Sequence, residues 1–215
     1  MNPDGDRLPR RRDEARALFR NAILDAAEAV FAERGFHGAR IQDIAERARI
    51  AVGTVYNHFE QKDDVLSALL EERTEGLLAQ LRARAEDPKG FEARLETRMK
   101  RLFAYVEQHR AFLAIASEQG LFAGAAAPGA RVTPRNAQQI EAFRRELRSI
   151  VDEGLASGDI EGLDAEDLAR FLGGTMRAFV LSSLAQREAA TASPQALATV
   201  DLFLHGAARR RRRAR

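Results

Sequence analysis

IQDIAERARIAVGTVYNHFEQK, residues 41–62, decides how the rest of the chain is read. Ile41, Ile44, Ala45 and Ala48 recur at i, i+3, i+4 and i+7, one face of a helix. After Arg49 a second apolar set appears, Ile50, Val55 and Phe59, the last two four apart. The other side of that segment carries Thr54, Asn57 and His58, with Gly53 in its first turn. A short helix with one buried edge and a small, hydrogen-bonding outer face suits a particular task. It can pack on its own domain while its N-terminal half lies in a DNA major groove about 12 Å wide. Gly53 costs roughly 1 kcal/mol against Ala inside a helix. Its presence predicts that something approaches the backbone closely there, a nucleic-acid backbone being the natural candidate.

GTVYNHFEQKDDVL, residues 53–66, preceded by DIAERARIAV, residues 43–52, resembles the DNA-binding domain of the TetR family of bacterial transcriptional regulators. The resemblance rests on a Gly-Thr-x-Tyr-x-His-Phe core with a Lys three residues past the Phe, and it covers about the first third of the chain. Three positions depart from the family pattern. Ala39 and Arg40 stand where Ser or Thr often caps the second helix, Arg49 where the turn usually has Gly, and Ala51 where Ser or Thr caps the third. A missing cap costs about 1 kcal/mol, and a non-glycine residue in a left-handed turn about 1–2 kcal/mol. Arg40 and Arg49 are expected to offset this by gripping phosphates.

Composition narrows the alternatives. The chain has 215 residues, enough to bury a substantial core in one or two domains, and Ala, Leu, Arg and Glu dominate, which favours helix. There is no cysteine, hence no disulfide framework or thiolate zinc site. No apolar run reaches the 18 residues that would suggest a membrane span, and the polar N-terminus lacks a signal-peptide core; the expectation is a cytoplasmic protein. The net charge of +2 conceals an asymmetry, because six arginines fall within residues 209–215 and leave the remainder net acidic. The four histidines, His37, His58, His109 and His205, are scattered. No metalloprotease, nucleophile-elbow or phosphate-loop motif is present, so neither an enzyme nor a cofactor site is expected.

The chain is expected to be all-α. An N-terminal three-helix helix-turn-helix domain at 13–62 follows a disordered basic arm at 1–12. A helical ligand-binding and dimerisation domain spans 63–206, and 207–215 forms a disordered Arg-rich tail. The first helix is predicted over 13–34, with Leu18, Phe19, Ala22, Ile23, Ala26, Ala27, Val30 and Phe31 on its apolar stripe and Gly35 as its terminator. A long helix over 62–86 is broken by Asp87-Pro88-Lys89-Gly90. Further helices are expected over 91–107, 110–122, 135–157, 164–187 and 193–205, with a Gly/Pro-rich loop over 123–134.

Chemistry assigns the DNA-facing roles. Thr54, Tyr56 and His58 offer short donors for phosphate oxygens, and Lys62 adds a cation at a helix N-terminus; the resemblance implies the same roles. Base reading falls to Val52, by contact with a thymine methyl, to the Gly53 backbone and to Gln42, which can pair with adenine; Asn57 is a further candidate. In the second domain the candidate effector contacts are Arg98, Met99, Phe103, Tyr105, His109, Phe112, Glu118, Phe143, Leu147, Arg177 and Phe179, with Gln119 also considered. They imply a small hydrophobic effector. The surplus apolar surface of the last two helices suits a self-complementary interface, and a two-fold dimer answers a palindromic operator. These expectations describe a ligand-responsive repressor that binds double-stranded DNA as a homodimer. The alternative is a helical dimeric interaction protein with only weak, nonspecific DNA binding.

Overall fold

The computed structural model describes residues 7–118, 134–185 and 192–206. Among them are nine α-helices and no strand: α1 (Arg7–Gly38), α2 (Ile41–Ala48), α3 (Val52–Tyr56), α4 (Lys62–Leu81), α5 (Phe91–Gln108), α6 (Arg110–Glu118), α7 (Pro134–Ser157), α8 (Ala165–Ala185) and α9 (Ala192–Gly206). The chain divides into two compact units inside α4, Met1–Glu72 and Arg73–Arg215. The expected tail, most of the expected loop over 123–134 and Gln119 lie outside the described residues.

In the first unit, α1 packs on α2 and α2 on α3. Residues 7–12, expected to be disordered, belong to α1 instead. Leu18 and Phe19 are exposed, at 71% and 45%, rather than part of the core. Length accounts for this: 32 residues of helix extend roughly 48 Å, whereas the eight of α2 cover roughly 12 Å. The buried stripe therefore begins at Ile23 and runs through Leu24, Ala27, Val30 and Phe31. Gly35, at φ 69° and ψ 161°, bends the end of α1, and the Ala39 N–H still reaches the Gly35 carbonyl at 3.2 Å.

The three departures from the usual turn sequence each find a local answer. Asp43 accepts a hydrogen bond from the Arg40 backbone N–H at 2.9 Å and pairs with Arg34 at 2.6 Å, so the start of α2 is capped from within the helix. Arg49 adopts the left-handed conformation, φ 56° and ψ 43°, and is the only described non-glycine residue with positive φ. Its N–H and that of Ile50 return to carbonyls at the end of α2, which ties off orphan acceptors there. At α3, the Thr54 N–H bonds the Ala51 carbonyl at 2.9 Å, and Val55 and Phe59 drop into the core.

The second unit sets α5 along α9 and α7 along α8, with α8 also touching α6 and α9. Glycines permit the close approaches: a Cβ on Gly173 would lie 2.7 Å from Leu147 Cδ1, and one on Gly154 2.6 Å from the Phe91 ring. Helix α4 stops at Leu81, short of the expected 86, and the following turn is built on Asp87. This carboxylate is 2% exposed; it accepts from the Arg84 N–H at 3.0 Å and from Arg101 at 2.5 Å. Arg98, also buried, sits 3.8 Å from Asp87 and 2.9 Å from Glu153 on α7, and Arg94 pairs with the same glutamate.

Burial pushes the Asp87 carboxyl up, but the Arg101 hydrogen bond, the Arg84 N–H and the charges of Arg101 and Arg98 outweigh it, and its pKa falls below 3.8. A carboxylate depressed on folding stabilises the fold above its unfolded pKa, and that contribution is lost as pH falls through the folded value. Asp87→Asn should therefore destabilise the protein by about 3 kcal/mol at neutral pH. In urea titrations the gap from wild type should narrow steadily below pH 4; a constant gap would show that the charge is not responsible.

Candidate nucleic-acid interface and ligand cavity

The short α3 presents two unlike sides. Val55 is fully buried, while Gly53, Tyr56 and Asn57 are exposed and Val52, Thr54 and His58 are half-buried. Gln42 is exposed on α2. Among the described residues, the side chains of Gln42, Thr54, Tyr56 and Asn57 make no hydrogen bond within the protein, so their polar atoms are available to a partner. A Cβ placed on Gly53 would meet no atom within 4 Å. Packing within the protein thus gives no reason for a glycine there.

Two neighbours govern His58. Partial burial, then the positive charges of Arg16 and Arg20 on α1, hold its pKa below 6.5, so the ring is neutral at pH 7. A neutral imidazole can still donate one hydrogen bond, but it brings no charge to a phosphate. Arg20 is itself paired with Glu72 at 2.5 Å. The approach of Arg16 and Arg20 to His58 is tertiary, and residue spacing gives no signal of it.

Lys62 departs from its expected role. Its ammonium donates to the carbonyls of Phe36 at 2.6 Å and Ala39 at 2.8 Å, and stands 4.5 Å above the Phe36 ring. It caps the chain leaving α1 rather than offering a free cation. The first turn of α4 also holds Asp63 and Asp64, and Asp64 accepts from the Gln61 N–H at 3.0 Å. Negative charge therefore occupies the helix end proposed for a phosphate.

In the second unit a cavity of about 350 Å³ opens among α4, α5, α6, α7 and α8. Leu77, Leu102, Phe112, Phe143, Leu147 and Met176 supply apolar wall; Thr74 and Gln139 are polar; Arg144, Glu166, Arg170 and Arg177 are charged. Of the expected contacts, Phe112, Phe143, Leu147 and Arg177 line it. The others do not. Arg98 is committed to Asp87 and Glu153, and Met99 and Phe103 are core, because α5 turns Leu102 and Val106 to the cavity instead. The Tyr105 hydroxyl donates to the Arg73 carbonyl at 3.0 Å while its ring packs against Gly76 and His109. Phe179 falls off the wall because Ala169, Gly173, Met176 and Val180 form the facing stripe of α8. The Glu118 side chain lies outside the described residues.

The arginines differ in their commitments. Arg144 donates to Glu166 at 2.6 Å, and Arg170 pairs with Glu166 and Asp167. The hydrogen bond from Arg144 holds the Glu166 carboxyl below its usual range; slight burial opposes this, and the charges of Arg144, Arg170 and Arg148 assist. Arg177 lines the same cavity with no acidic partner among the described residues. Sequence reasoning passed over Thr74 and Gln139. The available signal was a threonine at 74 inside the Leu70, Leu77, Leu78 stripe, a polar group on an inward face.

Proton NMR should place the His58 titration midpoint below 6.5 and move it upward in Arg16→Gln, which deletes one of the two repelling charges. Because this histidine is depressed on folding, charging it removes stability as pH falls through its folded value. An unmoved midpoint in the variant would mean that Arg16 has no part in the shift.

Comparison with known proteins agrees with this architecture. Residues 23–69 match the family of bacterial regulatory proteins, tetR family. The chain is 28% identical over 153 residues to the HTH-type transcriptional repressor KstR2 of Mycobacterium tuberculosis, covering 71% of this chain and 75% of that protein. It is 29% identical over 167 residues to the fatty acid metabolism regulator protein of Bacillus subtilis, covering 72% and 77%. The crystal structure of the Bacillus subtilis transcriptional regulator FadR in complex with stearoyl-CoA shares the fold, with a TM-score of 0.70 at 24% identity over 86% of this chain and 97% of that one. With α2 and α3 inside the matched segment, residues 23–69 form a helix-turn-helix domain of the tetR family of bacterial regulatory proteins.

Proposed function

We propose that this protein is a repressor that binds a palindromic operator as a homodimer and leaves it when an acyl thioester enters the second unit. The observation that carries the DNA reading is the exposed polar face of α3 around Gly53, where the protein itself supplies no neighbour. On this reading Thr54, Tyr56, His58, Arg40 and Arg49 hold phosphates, while Gln42, Val52 and the Gly53 backbone read bases, with Asn57 beside them. Lys62 acts indirectly, by fixing the segment that contains them.

Dimerisation would use the outer side of α8 and α9. Phe171, Leu197 and Leu202 are 43%, 45% and 50% exposed, and Gly174 and Ala178 leave a shallow strip beside Phe171. Exposed apolar groups gathered on two neighbouring helices mark an association surface. Two-fold pairing there would present two recognition helices, as half-sites one turn apart, about 34–36 Å, require. Phe171→Glu with Leu202→Glu should convert the dimer to monomer in analytical ultracentrifugation; a variant that stays dimeric would move the interface elsewhere.

The ligand reading rests on an apolar cavity with a cation at its wall, Arg177, that has no acidic partner among the described residues. An apolar chain ending in an anionic group matches both features, and the relatives named for fatty acid metabolism and for a complex with stearoyl-CoA support that class. Helix α4 contributes Thr74 and Leu77 to the wall and Lys62 to the clamp at its other end. A shift of α4 would therefore disturb the segment bearing α2 and α3.

Selection from a random duplex pool at moderate salt should enrich a palindrome, and Thr54→Val with Tyr56→Phe should weaken the selected site by about 100-fold through two lost charge-assisted hydrogen bonds. Dodecanoyl-CoA should release the wild-type complex, and Arg177→Ala should raise the concentration required by about tenfold. Salt-sensitive binding without any enriched sequence would instead favour a nonspecific interaction protein.

A further inference from the structure

Within the second unit, four described threonines lie on helices. Three donate their hydroxyl to the carbonyl four residues back: Thr97 to Ala93 at 2.8 Å, Thr175 to Phe171 at 2.9 Å and Thr199 to Gln195 at 2.8 Å. That back-bond is the ordinary resting place of a helical threonine. Thr74 is the exception. It is 6% exposed, and its hydroxyl is buried with no hydrogen-bond partner. Among the described residues, the other two buried hydroxyl side chains, Ser183 and Thr199, are both satisfied. Thr74 lines the cavity.

A second orphan faces the same space. The Gln139 Oε1 on α7 is also buried without a partner, and Gln139 lines the cavity. Apart from these two residues and the charged side chains of Arg144, Glu166, Arg170 and Arg177, the lining is aliphatic and aromatic with two glycines, supplied by Leu77, Leu102, Phe112 and Leu147 among others. Two unpartnered polar atoms on two walls of one apolar cavity are costly unless a guest completes them. The Thr74 hydroxyl can donate or accept, whereas the Gln139 oxygen only accepts. A guest that satisfies both must itself donate one hydrogen bond, and a hydroxyl donates and accepts at once.

We infer that the effector is a hydroxylated acyl chain, its hydroxyl bound by Thr74 and Gln139, and its anionic end directed to Arg177. This rests on the acyl-thioester reading above and narrows it. A plain saturated chain would fill the apolar wall and leave both polar atoms unpaired. An oxo chain would satisfy Thr74 and leave the Gln139 oxygen without a donor. The site therefore discriminates among lipids of equal length by one functional group.

The test is a titration of the full-length protein with dodecanoyl-CoA, a set of its monohydroxy isomers spanning the chain, and the matching oxo compounds. At least one hydroxy isomer should bind about tenfold more tightly than dodecanoyl-CoA, as expected for a completed buried hydrogen-bond pair. Thr74→Val is nearly isosteric. It should abolish that preference and keep or raise the melting temperature of the ligand-free protein, because the orphan hydroxyl is gone. Gln139→Leu should act in the same direction. The inference is overturned if dodecanoyl-CoA binds and no hydroxy isomer improves on it, if the oxo compounds gain as much, or if Thr74→Val retains the preference. If no thioester binds a protein that still recognises its operator, the acyl-thioester reading fails and takes this inference with it.

Discussion

The ammonium of Lys62 holds the first unit in register. Beyond the bend at Gly35, the chain leaving α1 has carbonyls with no helical N–H to meet them. Lys62 collects two of these, from Phe36 and Ala39, and lies over the Phe36 ring. Everything between Ala39 and Lys62, which is α2, the turn at Arg49 and α3, is thereby closed into a loop pinned at both ends. A five-residue helix has too few internal hydrogen bonds to stand alone. Its position comes from this closure and from Val55 and Phe59 beneath it.

The second unit separates its sources of stability from its capacity to bind. Asp87 and Arg98, both almost wholly out of water, join the partly exposed Arg101 and Glu153 to tie the turn after α4 to α5 and α7. The cavity lies on other residues of the same helices, Leu102 and Val106 of α5 and Gln139, Phe143 and Leu147 of α7. Gly173 brings α8 against Leu147 and is itself part of the wall. The site is therefore bounded by helices fixed elsewhere.

Helix periodicity carried much of this in the sequence. The repeat of Ile41, Ile44 and Ala45 and the pairing of Val55 with Phe59 gave the faces of α2 and α3, because a helix with one apolar stripe can be oriented from its spacing alone. Helices apolar over most of their circumference cannot. On α8, Met176 and Phe179 are equally plausible inward residues, and only packing against α7 selects Met176. Leu18 and Phe19 continue an apolar pattern beyond the point where a neighbour exists to cover it. The electrostatic commitments were the least legible. A lysine following an aromatic residue in a helix-turn-helix reads as a phosphate ligand until the chain is folded and the end of α1 lies beside it. Arg98 likewise reads as a ligand contact until Asp87 and Glu153, distant in sequence, close on it.

The empty surroundings of Gly53 bear on genetics. Alanine there meets no atom of the protein and gains helix propensity, so the altered chain should fold as well as the original. If that face meets DNA, the damage falls on operator binding alone. In the dimer proposed above, a folded but DNA-blind subunit would still pair with intact subunits from a second gene copy and spoil the mixed dimers. Loss-of-function alleles at this position would then be dominant, whereas alleles that unfold the chain, such as those striking Val55 or Asp87, would be recessive.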